Sequence, residues 1–233
     1  MTVNSTKSRA SSTRRAKLER VSGAIRAGAH PFPQMRWAAV AWLAVWVPAY
    51  AAVWGPRNFL HLCDVAVLLT CAGIWLGSPL LLSSQTVSSI VTDVAWTIDA
   101  GSRLFSGRHV FGGTEYLWNS RFPLAVRLLS LFHLFWPALL LWSLRRVGYD
   151  RRGFRLQIGI ACALLVASRF AGPSANINFA FRDPIWRLSL EPAPLHLAAT
   201  LVFLIVVFYL PVHVALSRAF AKGAGLGSAR RVS

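Results

Sequence analysis

Six long apolar runs divide this sequence and constrain its fold more than any other feature. They lie at 37–54, 58–77, 80–99, 122–144, 154–171 and 194–216. A helix needs about 20 apolar residues to cross the roughly 30 Å hydrocarbon core of a bilayer, and each run approaches that length. Because lipid offers no hydrogen-bond partners, the backbone of such a run must form a helix. The sequence therefore predicts an all-α, polytopic membrane helix bundle with about six transmembrane helices.

The composition is that of an integral membrane protein, because 55% of the residues are hydrophobic and only 14% are charged. The net charge of +17 by itself would suggest nucleic acid as a partner. The basic residues, however, cluster in short segments between apolar runs, as they do beside membrane helices. We therefore predict membrane lipids and no nucleic acid as partners, and the sequence indicates no oligomeric state.

The basic segments also predict an orientation. With six spans, the N-terminal segment, the 145–155 loop and the C-terminal segment share one side of the membrane, which the positive-inside rule makes cytoplasmic. The predicted topology is thus N-in and C-in. We expect a disordered basic cytoplasmic tail over 1–36 that contacts anionic inner-leaflet lipid, a six-helix transmembrane domain over 37–217, and a short basic cytoplasmic tail over 218–233.

The third run is unusually polar for a membrane helix. Its polar residues are Ser83, Ser84, Gln85, Ser88, Ser89, Thr92 and Asp93. A helix with such a face must be buried among other helices. Without this span, the 145–155 loop would lie opposite the N-terminal tail, so the charge pattern favours keeping it.

The segment that opens the second run contains His61, Cys63 and Asp64 within four residues. Ionisable groups inside a membrane span are costly and by default suggest a functional site. Residues three apart share a helix face, whereas residues two apart do not. Asp64 is therefore predicted to orient His61, and a base for Cys63 must come from another helix.

Other ionisable residues are predicted at a similar depth, by the helix rise of about 1.5 Å per residue. The resulting polar layer comprises His61, Cys63, Asp64, Asp93, Arg127, Arg169 and His196, with Asn178 and His196 at its outer rim. The inner half is predicted to be aliphatic apart from His213. This distribution suggests a cavity open to the extracytoplasmic leaflet. In the alternative interpretation the layer is structural, with Arg127 forming an ion pair with Asp64 or Asp93.

Two histidines are candidates to act as the base for Cys63. His133 is the one histidine deep inside a span, but the helix rise places it roughly 9 Å deeper than Cys63. His196 is closer in depth. Both candidates remain open at this point.

Metal chemistry is a further alternative. The residue types suited to zinc are His61, Asp64, Asp93, His133 and His196. No HExxH or paired-histidine motif accompanies them, and the three cysteines show no metal-type spacing. We therefore predict no metal and no cofactor.

The segment His61–Leu62–Cys63–Asp64 resembles the HLC-type signature of small bacterial integral membrane proteins called YwaF-like. These are related to an animal transmembrane acyltransferase that remodels ether phospholipids. The chain also resembles bacterial proteins described only as membrane-associated. Further similarities are the His133 region, Asn176–Phe179 with Asp183–Pro184, and the last span over 194–211.

This resemblance implies an acyltransferase in the bacterial cytoplasmic (inner) membrane. It implies that Cys63 carries the acyl chain as a thioester, that His133 is the general base, and that Asn178 lines the outer rim. The leading hypothesis is thus acyl transfer on membrane phospholipid. The alternative is a non-enzymatic multi-pass protein whose polar layer is structural or binds a small ligand or a proton.

Overall fold

The computed structural model describes residues 30–183 and 188–229, with side chains as far as 221. Within these residues the protein is all-helical and contains no strand. Its α-helices are α1 (Met35–Trp54), α2 (Leu62–Leu76), α3 (Pro79–Ser106), α4 (Leu124–Leu129), α5 (Phe132–Val147), α6 (Arg152–Arg169), α7 (Ala193–Phe203) and α8 (Leu210–Ala229). Short 3-10 turns occupy Pro56–Leu60, Glu115–Trp118 and Ile177–Phe179, and a π-helical segment, Leu204–Tyr209, joins α7 to α8.

Three helical stretches are long and apolar enough to cross a membrane. They are Met35–Trp54, Leu124–Val147 and Ala193–Ala221, and α2 is a shorter apolar helix. The chain is thus an all-α protein with the helices of a membrane protein. Each of the six predicted runs is largely helical, although the fourth comprises two helices. Helix α2 is shorter than these three stretches, and α3 and α6 are long enough but do not combine that length with the same hydropathy and low charge, so the count of six spans stays a prediction.

A tight turn joins α2 to α3. Gly77 ends α2 with φ 61°, in the left-handed region that glycine adopts without strain. The Ser78 hydroxyl then accepts a hydrogen bond from the Leu81 N–H, and Pro79 occupies the first turn of α3. These local signals place α2 and α3 side by side as a helical hairpin.

Helix α3 is the central helix of the bundle and contacts α2, α5 and α6. Its buried residues include Ser83, Ser84, Gln85, Ser88, Ser89 and Asp93. Thr92 is partly buried, and its hydroxyl donates to the Ser88 carbonyl. The prediction that the polar third run is buried among other helices is confirmed.

The fourth predicted run is two helices rather than one. Ser130 and Leu131 separate α4 from α5, and the N–H groups of Ser130, Leu131, His133 and Leu134 bond three residues back along the chain. Such 3-10 bonding advances each residue by more than the α-helical rotation. The break therefore changes which side of the bundle the His133 ring faces.

The predicted tails differ from the structure at their inner ends. Residues 30–36 were expected to belong to a disordered tail, yet Phe32 is buried against Trp142, and the His30 ring bonds the Trp75 carbonyl at 2.9 Å. An aromatic side chain stabilises this segment by burial, which a count of polar residues does not reveal. The last helix also continues to Ala229, beyond the predicted boundary at 218. Residues 1–29 lie outside the described part of the chain.

Candidate functional site

A buried aspartate–histidine pair joins α3 to α5. His133 Nδ1 lies 2.7 Å from Asp93 Oδ1, and the two residues are 6% and 1% exposed. The imidazole ring stacks between Trp96 at 4.7 Å and Phe132 at 4.1 Å. Hydrogen bonding to one ring nitrogen fixes the orientation of the ring and designates the other nitrogen for proton exchange. The bond to Asp93 therefore holds the His133 ring in a fixed orientation between α3 and α5.

The second oxygen of the Asp93 carboxylate is unusual. Asp93 Oδ2 is buried and has no hydrogen-bond partner among the described residues. A buried polar atom without a partner costs free energy unless a proton, a water molecule or a ligand reaches it. Asp93 Oδ2 is therefore still able to accept a hydrogen bond.

Cys63 lies beside Asp64 at the start of α2. Its Sγ is 3.8 Å from Asp64 Oδ1, and Asn58 Nδ2 donates to Asp64 Oδ2 at 2.6 Å. The thiol also lies within electrostatic range of the Asp93 carboxylate. Asp93 is hydrogen-bonded to His133 and influences the Cys63 thiol only through its charge, so the depth difference between Cys63 and His133 that the helix rise suggested is not closed by a direct contact.

The predicted contact between Asp64 and His61 is not what the structure shows. His61 is the residue that precedes α2, with an extended backbone (ψ 136°), and its carbonyl accepts from the Asp64 and Val65 N–H groups. The rule that residues three apart share a helix face therefore does not apply to His61 and Asp64, because His61 lies outside the helix. Asn58 takes the predicted place of His61 as the hydrogen-bond partner of Asp64.

Arg127 does not form the predicted ion pair. Its guanidinium donates to the Leu117 carbonyl at 2.6 Å, and its Nε is buried without a partner among the described residues. Asp93 is paired with His133 instead, because the break between α4 and α5 brings that ring to α3. Arg127 therefore attaches the 115–118 turn to α4 and pairs with neither carboxylate.

His196 binds the backbone rather than the cluster. Its Nε2 lies 2.9 Å from the Phe179 carbonyl, and its Nδ1 accepts from the Leu190 N–H at 3.4 Å. Both ring nitrogens are thereby engaged. Of the two histidine candidates, His133 is the one that shares Asp93 with Cys63.

Asn178 positions the start of α2. Its Oδ1 accepts from the Leu62 N–H at 2.9 Å, and its Nδ2 donates to the Leu60 carbonyl at 2.7 Å and to Ser168 Oγ at 2.9 Å. These bonds fix the backbone on both sides of His61. Asn178 thus supports the segment that carries Cys63.

Hydroxyl and indole groups surround the cluster, and the sequence interpretation missed them. The Tyr50 hydroxyl lies 2.7 Å from Ser130 Oγ, and Trp96 Nε1 donates to the Tyr116 hydroxyl at 3.2 Å. Tyr116 is within electrostatic range of both Cys63 and Asp64. Aromatic residues near span ends usually anchor a helix at the membrane surface, so their type alone gives no sign of this role.

A second buried polar network lies nearer the start of α3. The Gln157 side chain accepts from Ser84 Oγ at 3.0 Å and donates to Ser88 Oγ at 3.0 Å and to the Tyr209 hydroxyl at 3.4 Å. Gln85 donates to Ser84 Oγ. The expectation of an almost entirely aliphatic inner half is therefore wrong, because α6 and the π-helical segment Leu204–Tyr209 supply partners to the polar face of α3.

Asp99 is a third carboxylate that the structure buries, at 1% exposure. Its Oδ1 accepts from the N–H groups of Val110, Phe111 and Gly112, and its Oδ2 accepts from Thr114 and the His109 ring. Every bond goes to the loop that follows α3. Asp99 therefore stabilises the 109–114 loop rather than the Asp93 cluster.

Within residues 30–183 and 188–229, no group of three or more His, Cys, Asp or Glu residues is placed to bind a metal ion. The zinc alternative thus lacks a ligand set in this part of the chain. Comparisons with protein-family models, curated proteins and solved structures find no match to this chain.

Proposed function

We propose that this chain is a multi-pass protein of the bacterial inner membrane, with six spans and both termini in the cytoplasm, that transfers acyl groups on membrane phospholipid. The main support is the buried Asp93–His133 hydrogen bond of 2.7 Å, with Cys63 in electrostatic range of Asp93. Helices on all six apolar runs support the span count. The resemblance of the His61–Asp64 segment to the YwaF-like proteins supports the chemistry.

In the proposed reaction, the His133 Nε2 accepts the proton of the Cys63 thiol while Asp93 orients the ring through Nδ1. The sulfur bonds to the ester carbonyl carbon of a phospholipid, and the bond from that carbon to the glycerol oxygen breaks. His133 returns the proton to this oxygen, and a lysophospholipid leaves. The acyl group then passes from Cys63 to an acceptor hydroxyl, which restores the thiol.

The hydrogen bond between Cys63 and Asp64 sets a condition on this mechanism. The thiol proton points toward a carboxylate in the resting arrangement, with Sγ 3.8 Å from Oδ1. The S–H bond of Cys63 must turn from Asp64 toward His133 when substrate binds. Substrate that enters next to Asn58 and Asp64 would displace the thiol from Asp64.

Intact-protein mass spectrometry after incubation with mixed phospholipids tests the proposal. We expect a hydroxylamine-labile acyl adduct on the wild type and its absence on Cys63→Ser. Cys71→Ser is the matched control, because Cys71 lies two turns further along the same helix and is buried at 3% exposure. An unmodified, folded wild type that releases no lysophospholipid would contradict acyl transfer.

The roles of the histidines are separable in the same assay. We expect His133→Gln to slow acylation by about 10²- to 10⁴-fold, the usual contribution of a positioned general base. His196→Gln should leave the acylation rate of the folded fraction unchanged, since its ring bonds to backbone groups. Equal loss in both variants would argue against His133 as the base.

A second candidate function is proton binding without group transfer. It is favoured by the unpartnered Asp93 Oδ2 and by the buried hydroxyl and amide groups along α3, which include Ser84, Gln157 and Ser88. Buried carboxylates with polar neighbours are typical of proton relays in membranes. In liposomes with an internal pH dye, this function predicts proton flux that Asp93→Asn removes and Cys63→Ser retains. Wild-type flux equal to that of empty liposomes would contradict it.

A further inference from the structure

An open cleft lies between α8 and the start of α6, away from the Asp93 cluster. It has a volume of about 240 Å³ and is lined by Arg151, His213, Val214, Ser217 and Arg218. The neighbouring loop is attached to the start of α3, because the Asp150 N–H donates to Ser83 Oγ at 2.8 Å. Asp93 lies about 15 Å further along α3 by helix rise. The cleft is therefore near the opposite end of the bundle.

The lining of the cleft is basic and contains no acidic residue. Neither Arg151 nor Arg218 forms an ion pair within the part of the chain that the structure describes. The nearest carboxylate along the chain, Asp150, binds Arg152 at 2.7 Å. Arg152 hydrogen bonding lowers the pKa of the Asp150 carboxyl, which keeps this pair intact at neutral pH. Asp150 is thus engaged with Arg152 and not with the arginines of the cleft.

Two further polar groups line the cleft. Ser217 Oγ is buried and has no partner among the described residues. The His213 ring is oriented by the Tyr149 hydroxyl, 2.6 Å from Nδ1, and stacks on Phe154 at 4.5 Å. Arg151 lies within electrostatic range of this ring. Positive charges and a hydroxyl without a partner converge on one small space.

We propose that this cleft binds the phosphate group of an anionic phospholipid. Guanidinium groups bind phosphate oxygens with charge-assisted, often bidentate hydrogen bonds, and the serine hydroxyl supplies a further donor. The cleft lies near the C-terminal end of the candidate span Ala193–Ala221, at the first basic residue of the last helix, Arg218. Basic residues at the end of a span are suited to contact anionic lipid headgroups. Val214 provides an apolar side for the first atoms of the acyl chains. The site depends on membrane embedding and not on acyl transfer at Cys63.

Native mass spectrometry of the full-length protein in detergent tests this site, with phosphatidylglycerol added at increasing concentration. We expect the double variant Arg151→Gln/Arg218→Gln to bind phosphatidylglycerol about tenfold more weakly than the wild type, the loss expected from removing charge-assisted hydrogen bonds. Both side chains are exposed, so the substitutions should leave the fold intact.

The matched control is Arg145→Gln/Arg155→Gln. These two arginines are exposed at the same end of the bundle and do not line the cleft, so the control makes the same change in net charge. We expect its affinity to stay within about threefold of the wild type, since only general attraction to anionic lipid is lost. Equal weakening in both double variants, or an unaffected cleft variant, would overturn the proposal.

Competition distinguishes a lipid headgroup from free phosphate. Inorganic phosphate that displaces phosphatidylglycerol at millimolar concentration would assign the cleft to phosphate in general. Retention of the lipid would assign it to the headgroup of a membrane lipid. A wild type that retains no phosphatidylglycerol and shows no thermal stabilisation by inorganic phosphate would overturn the site for both ligands.

Discussion

Asn178 shows how one side chain can position a distant segment. It forms hydrogen bonds to Leu62, Leu60 and Ser168, and it does so from a left-handed backbone with φ 52°. Asparagine tolerates this conformation better than other residues with a Cβ. The same residue therefore satisfies both the local backbone and the N-terminal end of α2, which otherwise leaves buried N–H groups without partners.

We predict that Asn178→Ala lowers the free energy of unfolding by about 2–4 kcal/mol, because it leaves buried backbone groups of residues 60 and 62 unpaired and adds left-handed strain. Asn178→Gly also loses the hydrogen bonds but adopts φ 52° freely, so it should be about 1 kcal/mol less destabilising than Asn178→Ala. Thermal unfolding in detergent measures both variants. A stability of Asn178→Ala equal to that of the wild type would show that this contact is dispensable.

At the scale of the helices, α3 is the element on which the others pack, and its polar face allows close approach. Gly153 of α6 lies against the start of α3, where an added Cβ would be 2.7 Å from both Ser83 Cβ and the Ser84 backbone nitrogen. Small residues at such crossings let membrane helices approach closely. The approach also brings Gln157, one turn further along α6, to the hydroxyls of α3.

We predict that Gly153→Ala destabilises the protein by about 1–3 kcal/mol, because backbone must move to admit the methyl group. Gly159→Ala in the same helix is the control. Nothing lies within 4 Å of its added Cβ, so it should be neutral or stabilise by up to about 1 kcal/mol through helix propensity. A comparison of the thermal unfolding temperatures of the two variants tests this prediction. Equal effects would mean that the α3–α6 contact is not tightly packed.

The last apolar run shows a second effect at the element scale. It contains the π-helical segment Leu204–Tyr209, which ends just before Pro211. Proline has no N–H to donate to the carbonyl of Val207, four residues earlier, and its ring crowds that carbonyl. Widening of the preceding turn relieves this conflict. The Tyr209 hydroxyl thereby reaches Gln157.

At the scale of the whole molecule, the distribution of basic residues predicts the orientation in the membrane. The 145–155 loop and the segment from Arg218 onward are rich in arginine, whereas the turn at Pro56–Leu60 contains one. The positive-inside rule then predicts that the loop and the C-terminal segment are cytoplasmic. Six spans satisfy this for both segments, whereas three spans would place the C-terminal segment outside.

We predict that a membrane-impermeant maleimide labels Arg57→Cys and Ser174→Cys on intact cells, in a background in which Cys63, Cys71 and Cys162 are replaced by serine. Arg145→Cys and Arg218→Cys should be labelled only after permeabilisation. All four positions are exposed, so access depends on the side of the membrane. If only the three most apolar stretches crossed the membrane, positions 174 and 218 would exchange their labelling.

The sequence by itself determined that this is an all-α protein with membrane-type helices, and it located the main helical stretches but not the break at Ser130–Leu131 or the end of the last helix. It also determined that the face of α3 from Ser83 to Asp93 is buried. These properties follow from the length, hydropathy and periodicity of contiguous residues, which act locally.

Only the tertiary structure decided which polar groups meet. Asp93 and His133 are separated by 40 residues, Gln157 and Ser84 by 73, and Asn178 and Leu60 by 118. Each pairing depends on how far two helices are rotated about their axes and on where they break. The depth of a residue, estimated from the rise along its own helix, contains neither quantity. A 3-10 turn at Ser130 and a π turn before Pro211 change those rotations. That is why Arg127 was paired wrongly and the Gln157 network was missed.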